Sequence, residues 1–157
     1  MPTRTFPSWA DAVPAARGYV TDVLAGVPPQ LGATAALLVS ELATNAVRHS
    51  GARQFTVHIE HVPAEGRVWI GVSDTGLGQP LPQQPSTTAE HGRGLQLVSL
   101  LADRWGAHRR RATMEKTVWF ELLADGAPAP AATEPEPATV RSPDDPLDDD
   151  PLDAGPG

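Results

Sequence analysis

Two stretches of strict alternation, joined by a short turn, constrain this chain more than any other feature. Phe55, Val57 and Ile59 alternate with Gln54, Thr56 and His58, and Val68, Ile70 and Val72 alternate with Trp69 and Gly71. A period of two places the apolar members of each stretch on one face, as in half-buried strands. The intervening Pro63-Ala64-Glu65-Gly66 reads as a hairpin loop. One apolar sheet face requires a cover, and the rest of the chain has to supply it.

Helical periodicity supplies that cover. From Leu31 to His49, residues Ala35, Leu38, Leu42 and Ala46 fall on one side at helical spacing, and Gly51 ends the run. Pro14 to Leu24 forms a second helix with Ala16, Val20, Val23 and Leu24 as a partial apolar stripe, closed by Pro28 and Pro29. Leu95 to Leu101 is a third, strongly apolar one. Strands are expected around Ala107 to Thr113 and from Thr117 to Leu122, and the irregular stretch Gln79 to His91 reads as a loop stiffened by three prolines. The order helix, helix, strand, strand, loop, helix, strand, strand predicts an α+β fold, a two-layer α/β sandwich with its helices segregated to one face. Trp9, Trp69, Trp105 and Trp119 read as core or interface aromatics rather than a cofactor cage.

The formal net charge of -7 is unevenly spread. Residues 125–157 hold nine acids and one Arg, whereas residues 1–124 hold ten acids and eleven Arg or Lys. The expectation is one domain over 1–124 and an acidic, Pro- and Ala-rich tail over 125–157, too poor in apolar periodicity to order itself. A near-neutral domain gives no charge-based case for direct nucleic-acid binding. The absence of cysteine excludes disulfides, thiolate nucleophiles and Cys-ligated metal sites and fits a reducing compartment. With no membrane-length apolar run and no secretory core at the N-terminus, a cytoplasmic location and no membrane partner are expected.

Three short motifs carry chemistry. Glu41 and Asn45 are four apart, so they share one helix strip beside the apolar stripe. A carboxylate there suits a general base and an amide oxygen suits magnesium, while a solvated helix edge is the plainer reading of both. Asp74 is in phase with Val68, Ile70 and Val72, so it should face the core side and need a donor, for which the exocyclic amine of a purine is one candidate. Gly76 and Gly78 would let the backbone turn against a flat ligand, and an ordinary Asp-Thr-Gly turn is the plainer reading. Gly92-Arg93-Gly94 leads into the helix at Leu95, where free backbone N–H groups favour phosphate. Arg93 suits a phosphate contact or plain solvation equally.

In order, ELATNAVRHS, VSDTGLGQP, HGRGLQLVSLLADRWG and KTVWFEL resemble the N box, the two glycine boxes and the closing strand of the GHKL ATPase superfamily. More closely they resemble its small actinobacterial branch of anti-sigma-factor serine/threonine kinases, over about Ala15 to Leu122. The resemblance implies a Bergerat fold with a mixed, mostly antiparallel sheet, and ATP and magnesium as ligands. It matches Glu41 to the general base, Asn45 to the magnesium ligand and Asp74 to the acceptor of the adenine amino group. Gly76 and Gly78 match the adenine turn, with Thr117 near it. Gly92 and Gly94, with the N-terminus of the helix from Leu95, match the phosphate cradle. It further implies phosphoryl transfer from ATP to an anti-sigma-factor antagonist, retention of a sigma factor, and a possible homodimer. An ATP-binding regulatory module acting on a protein partner without phosphoryl transfer is the alternative. A histidine-kinase domain shares the fold, but the short stretch before the first helix is not expected to hold a dimerisation helix with a phosphoacceptor histidine. The chain departs from the branch in Glu115, where a glycine is usual, in a short lid without lysine, and in the acidic tail.

Overall fold

The computed structural model describes residues 1–76 and 93–127. The expectations for Gly78, Gly92, the 79–91 loop and the tail beyond residue 127 fall outside the described residues. The elements run β1 (Thr3–Pro7), α1 (Ala12–Val23), α2 (Pro29–His49), β2 (Gln54–Val62), β3 (Arg67–Asp74), α3 (Arg93–Leu101), β4 (Arg104–Arg110) and β5 (Glu115–Leu123). They form the expected two-layer α+β sandwich. The sheet order is β1-β2-β3-β5-β4, and every pairing among the described strands is antiparallel.

β2 and β3 pair as read from their alternation, with Val57 opposite Val72 and Ile59 opposite Ile70, joined by a single 3-10 turn over Pro63–Glu65. Their inner face continues across β5 through Val118, Phe120 and Leu122, all buried. α2 covers this face with Leu31, Ala35, Leu38, Val39, Leu42 and Ala46, and α1 adds Ala16 and Val20. Fully burying a side chain such as Leu38 or Ile70 contributes about 1.5–3 kcal/mol, so these rows dominate the stability of the sandwich. At the β1 edge, Phe6 stacks on Phe55 at 5.5 Å between ring centroids, with Tyr19 of α1 tilted against it.

Several boundaries differ from expectation for identifiable reasons. Pro29 opens α2 rather than closing α1, because proline lacks only an N–H that the first helical turn leaves unbonded in any case. α2 ends at the Ser50 cap, where Ser50 Oγ donates to the Ala46 carbonyl at 2.6 Å, and Gly51 follows at φ 71° in the left-handed region. β1 was not anticipated: in Thr-Arg-Thr-Phe-Pro only Phe6 is buried, too little for an alternation to show. β4 begins three residues earlier than expected, at Arg104, and the segment from Arg111 to Met114 is its turn into β5. Met114 takes φ 57° there, so the left-handed position falls one residue before Glu115, the residue that replaces the usual glycine.

The outer face of the sheet is polar at its edges and aromatic at its centre. Trp69 and Trp119 stack at 6.3 Å, and a Cβ on Gly71 would stand 2.5 Å from the Trp69 ring, so the rings lie directly over backbone that has no room for a side chain. Beside them Arg67 pairs with Glu65 at 2.8 Å, Glu60 at 3.4 Å and Glu121 at 3.5 Å. Of the four tryptophans, Trp9 does not belong to the core, being 62% exposed, and Trp105 is half-buried against it.

Candidate functional site

The inner face changes character at one end. Phase along β3 carries Asp74 to the same side as Val68, Ile70 and Val72, and Asp74 is buried. Its donors come from two directions. The Gly76 N–H donates to Oδ1 at 2.8 Å, closing a tight side-chain turn, and Lys116 Nζ of β5 lies 3.6 Å from the same oxygen. Lys116 is the register partner of Asp74, is equally buried, and is the only lysine in the chain. Burial pushes the Asp74 carboxyl above its usual range, against the pull of the Gly76 amide and Lys116. Burial likewise pushes the Lys116 ammonium down, opposed by Asp74.

Gly76 is fixed by a close approach. A Cβ there would stand 1.8 Å from the carbonyl oxygen of Ser50, so the turn after β3 lies flat against the end of α2. Ser50 itself is buried, and its hydroxyl also accepts from the Ala52 N–H at 3.0 Å. Arg109 of β4 donates to the Gly76 carbonyl at 3.3 Å and to that of Met114 at 3.4 Å, tying the β4–β5 turn to the same point. The end of α2, the β3 turn and the start of β5 therefore meet at Asp74.

Glu41 and Asn45 sit half-buried on α2, beside the buried Leu42 and Ala46. Asn45 precedes Ser50 by about 7 Å of helix rise and Glu41 by about 13 Å. Leu95, half-buried, packs α3 against the core, and Arg93 and Gly94 lie in the first turn of that helix. α3 stands beside α2, so the helix bearing Glu41 and Asn45 is flanked by the turn at Gly76 and by α3.

Thr117 requires a correction. It does not join Asp74: its hydroxyl lies on the outer face, bonded to Ser73 at 2.7 Å. Lys116 takes the inner position instead. The signal was present in the sequence, because counting back by two from Phe120 and Val118 gives Lys116 on the core side and Thr117 on the other. Arg109 and Ser50, which also build the site, carry no motif that would single them out.

No curated protein matches the chain. A family model described as the histidine kinase-like ATPase domain matches residues 6–122, from the end of β1 almost to the end of β5. That span covers both α2 and the Asp74 turn, so the chain belongs to the histidine kinase-like ATPase domain family, whose ligand is ATP.

Proposed function

We propose that this chain binds ATP with magnesium and transfers the γ-phosphoryl group to a serine or threonine of an anti-sigma-factor antagonist, retaining a sigma factor when that antagonist is phosphorylated. The observation that carries the reading is Asp74: an acidic side chain buried at the end of an inner-face strand, oriented by the Gly76 N–H, within a family that uses ATP. Asp74 accepts the adenine amino group, with Gly76 and Gly78 shaping the turn beside the base. Gly92, with Arg93, Gly94 and Leu95 in the first turn of α3, holds the phosphates through backbone N–H groups and the positive end of the helix.

Magnesium is read as an ion shared with the nucleotide. Among the described residues no group of three or more His, Asp or Glu is placed to hold a metal. Asn45 offers one amide oxygen, which suits an ion whose remaining ligands are phosphates and water. Glu41, one turn earlier on the same strip, is the group to accept the proton of the attacking hydroxyl. Positioning and charge neutralisation account for most of phosphoryl-transfer catalysis, so a base, an ion ligand and a helix N-terminus form a sufficient set.

The test uses purified protein, radiolabelled ATP, magnesium and a candidate antagonist. Glu41→Gln is expected to lower labelling by a hundredfold or more, on the order of a general base's contribution, while calorimetric ATP affinity stays within a few-fold of wild type. Undiminished labelling in that variant removes Glu41 from the mechanism, and absence of measurable ATP binding by the wild type removes the proposal.

A further inference from the structure

We propose that Lys116 is a positioning residue for base selectivity: by pairing with Asp74 it holds that side chain as an acceptor-only carboxylate, so that the site takes 6-aminopurine nucleotides and rejects 6-oxopurine ones. The inference rests on the ATP reading of the Asp74 site and adds to it the residue that decides which base is read.

The argument begins with the unusual placement of the charge. Lys116 is the chain's single lysine, and it is buried on the inner face with its ammonium 3.6 Å from Asp74 Oδ1. Lysine is almost never fully buried without a partner, and here the partner is the side chain that meets the base. Among the described residues the other charged group near Asp74 is Arg109 on β4, which donates to the Gly76 carbonyl and adds a weaker pull of the same sign. The β2 neighbour of Asp74 is Phe55, and the last turn of α2 carries Arg48 and His49, both solvent-exposed. Lys116 is therefore the principal countercharge for a carboxylate that burial drives toward its neutral form.

Protonation state determines what the side chain can read. An ionised carboxylate only accepts hydrogen bonds, so it matches the N–H of a 6-amino group and repels the lone pairs of a 6-oxo group. A protonated carboxyl both donates and accepts, and it can bond either base. Gly76 fixes the orientation of the group through Oδ1 in both states, which leaves the proton as the variable. Losing Lys116 shifts the balance toward the protonated form and relaxes the choice. Arginine at 116 would keep the charge and the choice, and Asp74→Asn, whose amide donates and accepts at every pH, would imitate the protonated acid.

Calorimetric titration with ATP and ITP, across a pH series from mildly alkaline to mildly acidic, tests this. Wild type is expected to favour ATP. Lys116→Met should reduce the ATP-to-ITP preference by about tenfold or more, the usual scale for a buried hydrogen-bond mismatch, with the loss deepening as pH falls. Lys116→Arg should retain the preference, and Asp74→Asn should lack it at all pH values. A Lys116→Met protein with the wild-type ratio throughout overturns the inference while leaving the ATP site standing. If that variant does not fold, the wild type decides: its ATP-to-ITP ratio must fall in step with protonation of Asp74 followed by carboxyl carbon NMR, and a constant ratio overturns the inference. A wild type that binds neither nucleotide overturns the ATP reading itself.

Discussion

Two consecutive rungs of the β3–β5 ladder carry polar pairs of opposite kinds. Ser73 and Thr117 face outward and share a neutral hydrogen bond of 2.7 Å; Asp74 and Lys116 face inward and form an ion pair at 3.6 Å. All four side chains are buried. The hydroxyl pair lies on the face that carries the stacked tryptophans, and each hydroxyl finds a partner, so burying it costs little. The ion pair is looser than a direct hydrogen bond and removes two full charges from water, a combination in which desolvation can exceed attraction. A fold optimised for stability alone would not place a charged pair there. The difference separates a rung that holds the sheet together from the one proposed to read a ligand.

The largest expected effect comes from breaking the inner rung on one side. Lys116→Met leaves a buried carboxylate without its main countercharge and should cost about 3–5 kcal/mol in denaturant unfolding near neutral pH. The double variant Asp74→Asn/Lys116→Met should recover most of that loss or exceed wild-type stability. The pH response has a definite sign. The Asp74 carboxyl titrates higher in the folded state than in the unfolded one, so its contribution favours folding at low pH and is lost as pH rises through the folded value. The Lys116 ammonium titrates lower when folded, so its penalty is in force below the folded value and is relieved as pH climbs from there toward 10.5. Where both groups are charged both penalties act, and the double variant should show a flatter stability profile than wild type. A double variant as unstable as the single one would mean that the pair is a net stabiliser and would erase the contrast between the rungs.

A smaller effect is expected where the inner rung meets α2. Gly76→Ala puts a methyl group 1.8 Å from the Ser50 carbonyl, and neither the β3 turn nor the helix end can yield without moving Asp74. Overpacking of this kind costs about 1–3 kcal/mol. Nucleotide affinity should fall by more than the stability loss explains, because the Gly76 N–H that orients Oδ1 shifts with its residue. Thermal melts and ATP titration of the same sample measure both, and unchanged affinity would separate the turn from the site.

How much was legible in the sequence follows the same division. β2, β3 and α2 could be read because each repeats an apolar residue at its own period, and the inward phase of Asp74 followed from Val68, Ile70 and Val72. β1 and β4 were missed or displaced because their periodicity is nearly silent: one core residue in Thr3–Pro7, and in Arg104–Arg110 only Trp105 and Ala107 between arginines, His108 and Gly106. Edge strands are held by one neighbour's ladder and need little apolar content of their own. Asp74 and Gly76 were legible as an acid and a glycine in a motif. Ser50 and Arg109 were not, since each acts through a neighbour that only the folded chain supplies, whereas the inward place of Lys116 follows from counting back by two from Phe120 and Val118.

The smallest expected effect tests the outer rung and, with it, the placement of Thr117. Thr117→Val keeps the shape of the side chain and removes its hydroxyl, leaving the buried Ser73 Oγ without its 2.7 Å partner. The cost should be about 1 kcal/mol, at the low end for an orphaned hydroxyl because Ser73 can rotate toward another acceptor. Ser73→Ala/Thr117→Val should be milder than Thr117→Val alone, since removing both hydroxyls leaves no unmatched group. ATP affinity should be the same in all three proteins, because the rung faces away from Asp74 across the full thickness of the sheet. A clear loss of ATP affinity in Thr117→Val would bring that hydroxyl back beside the base, and the opposition between an outer structural rung and an inner ligand-reading rung would then fail at its most economical test.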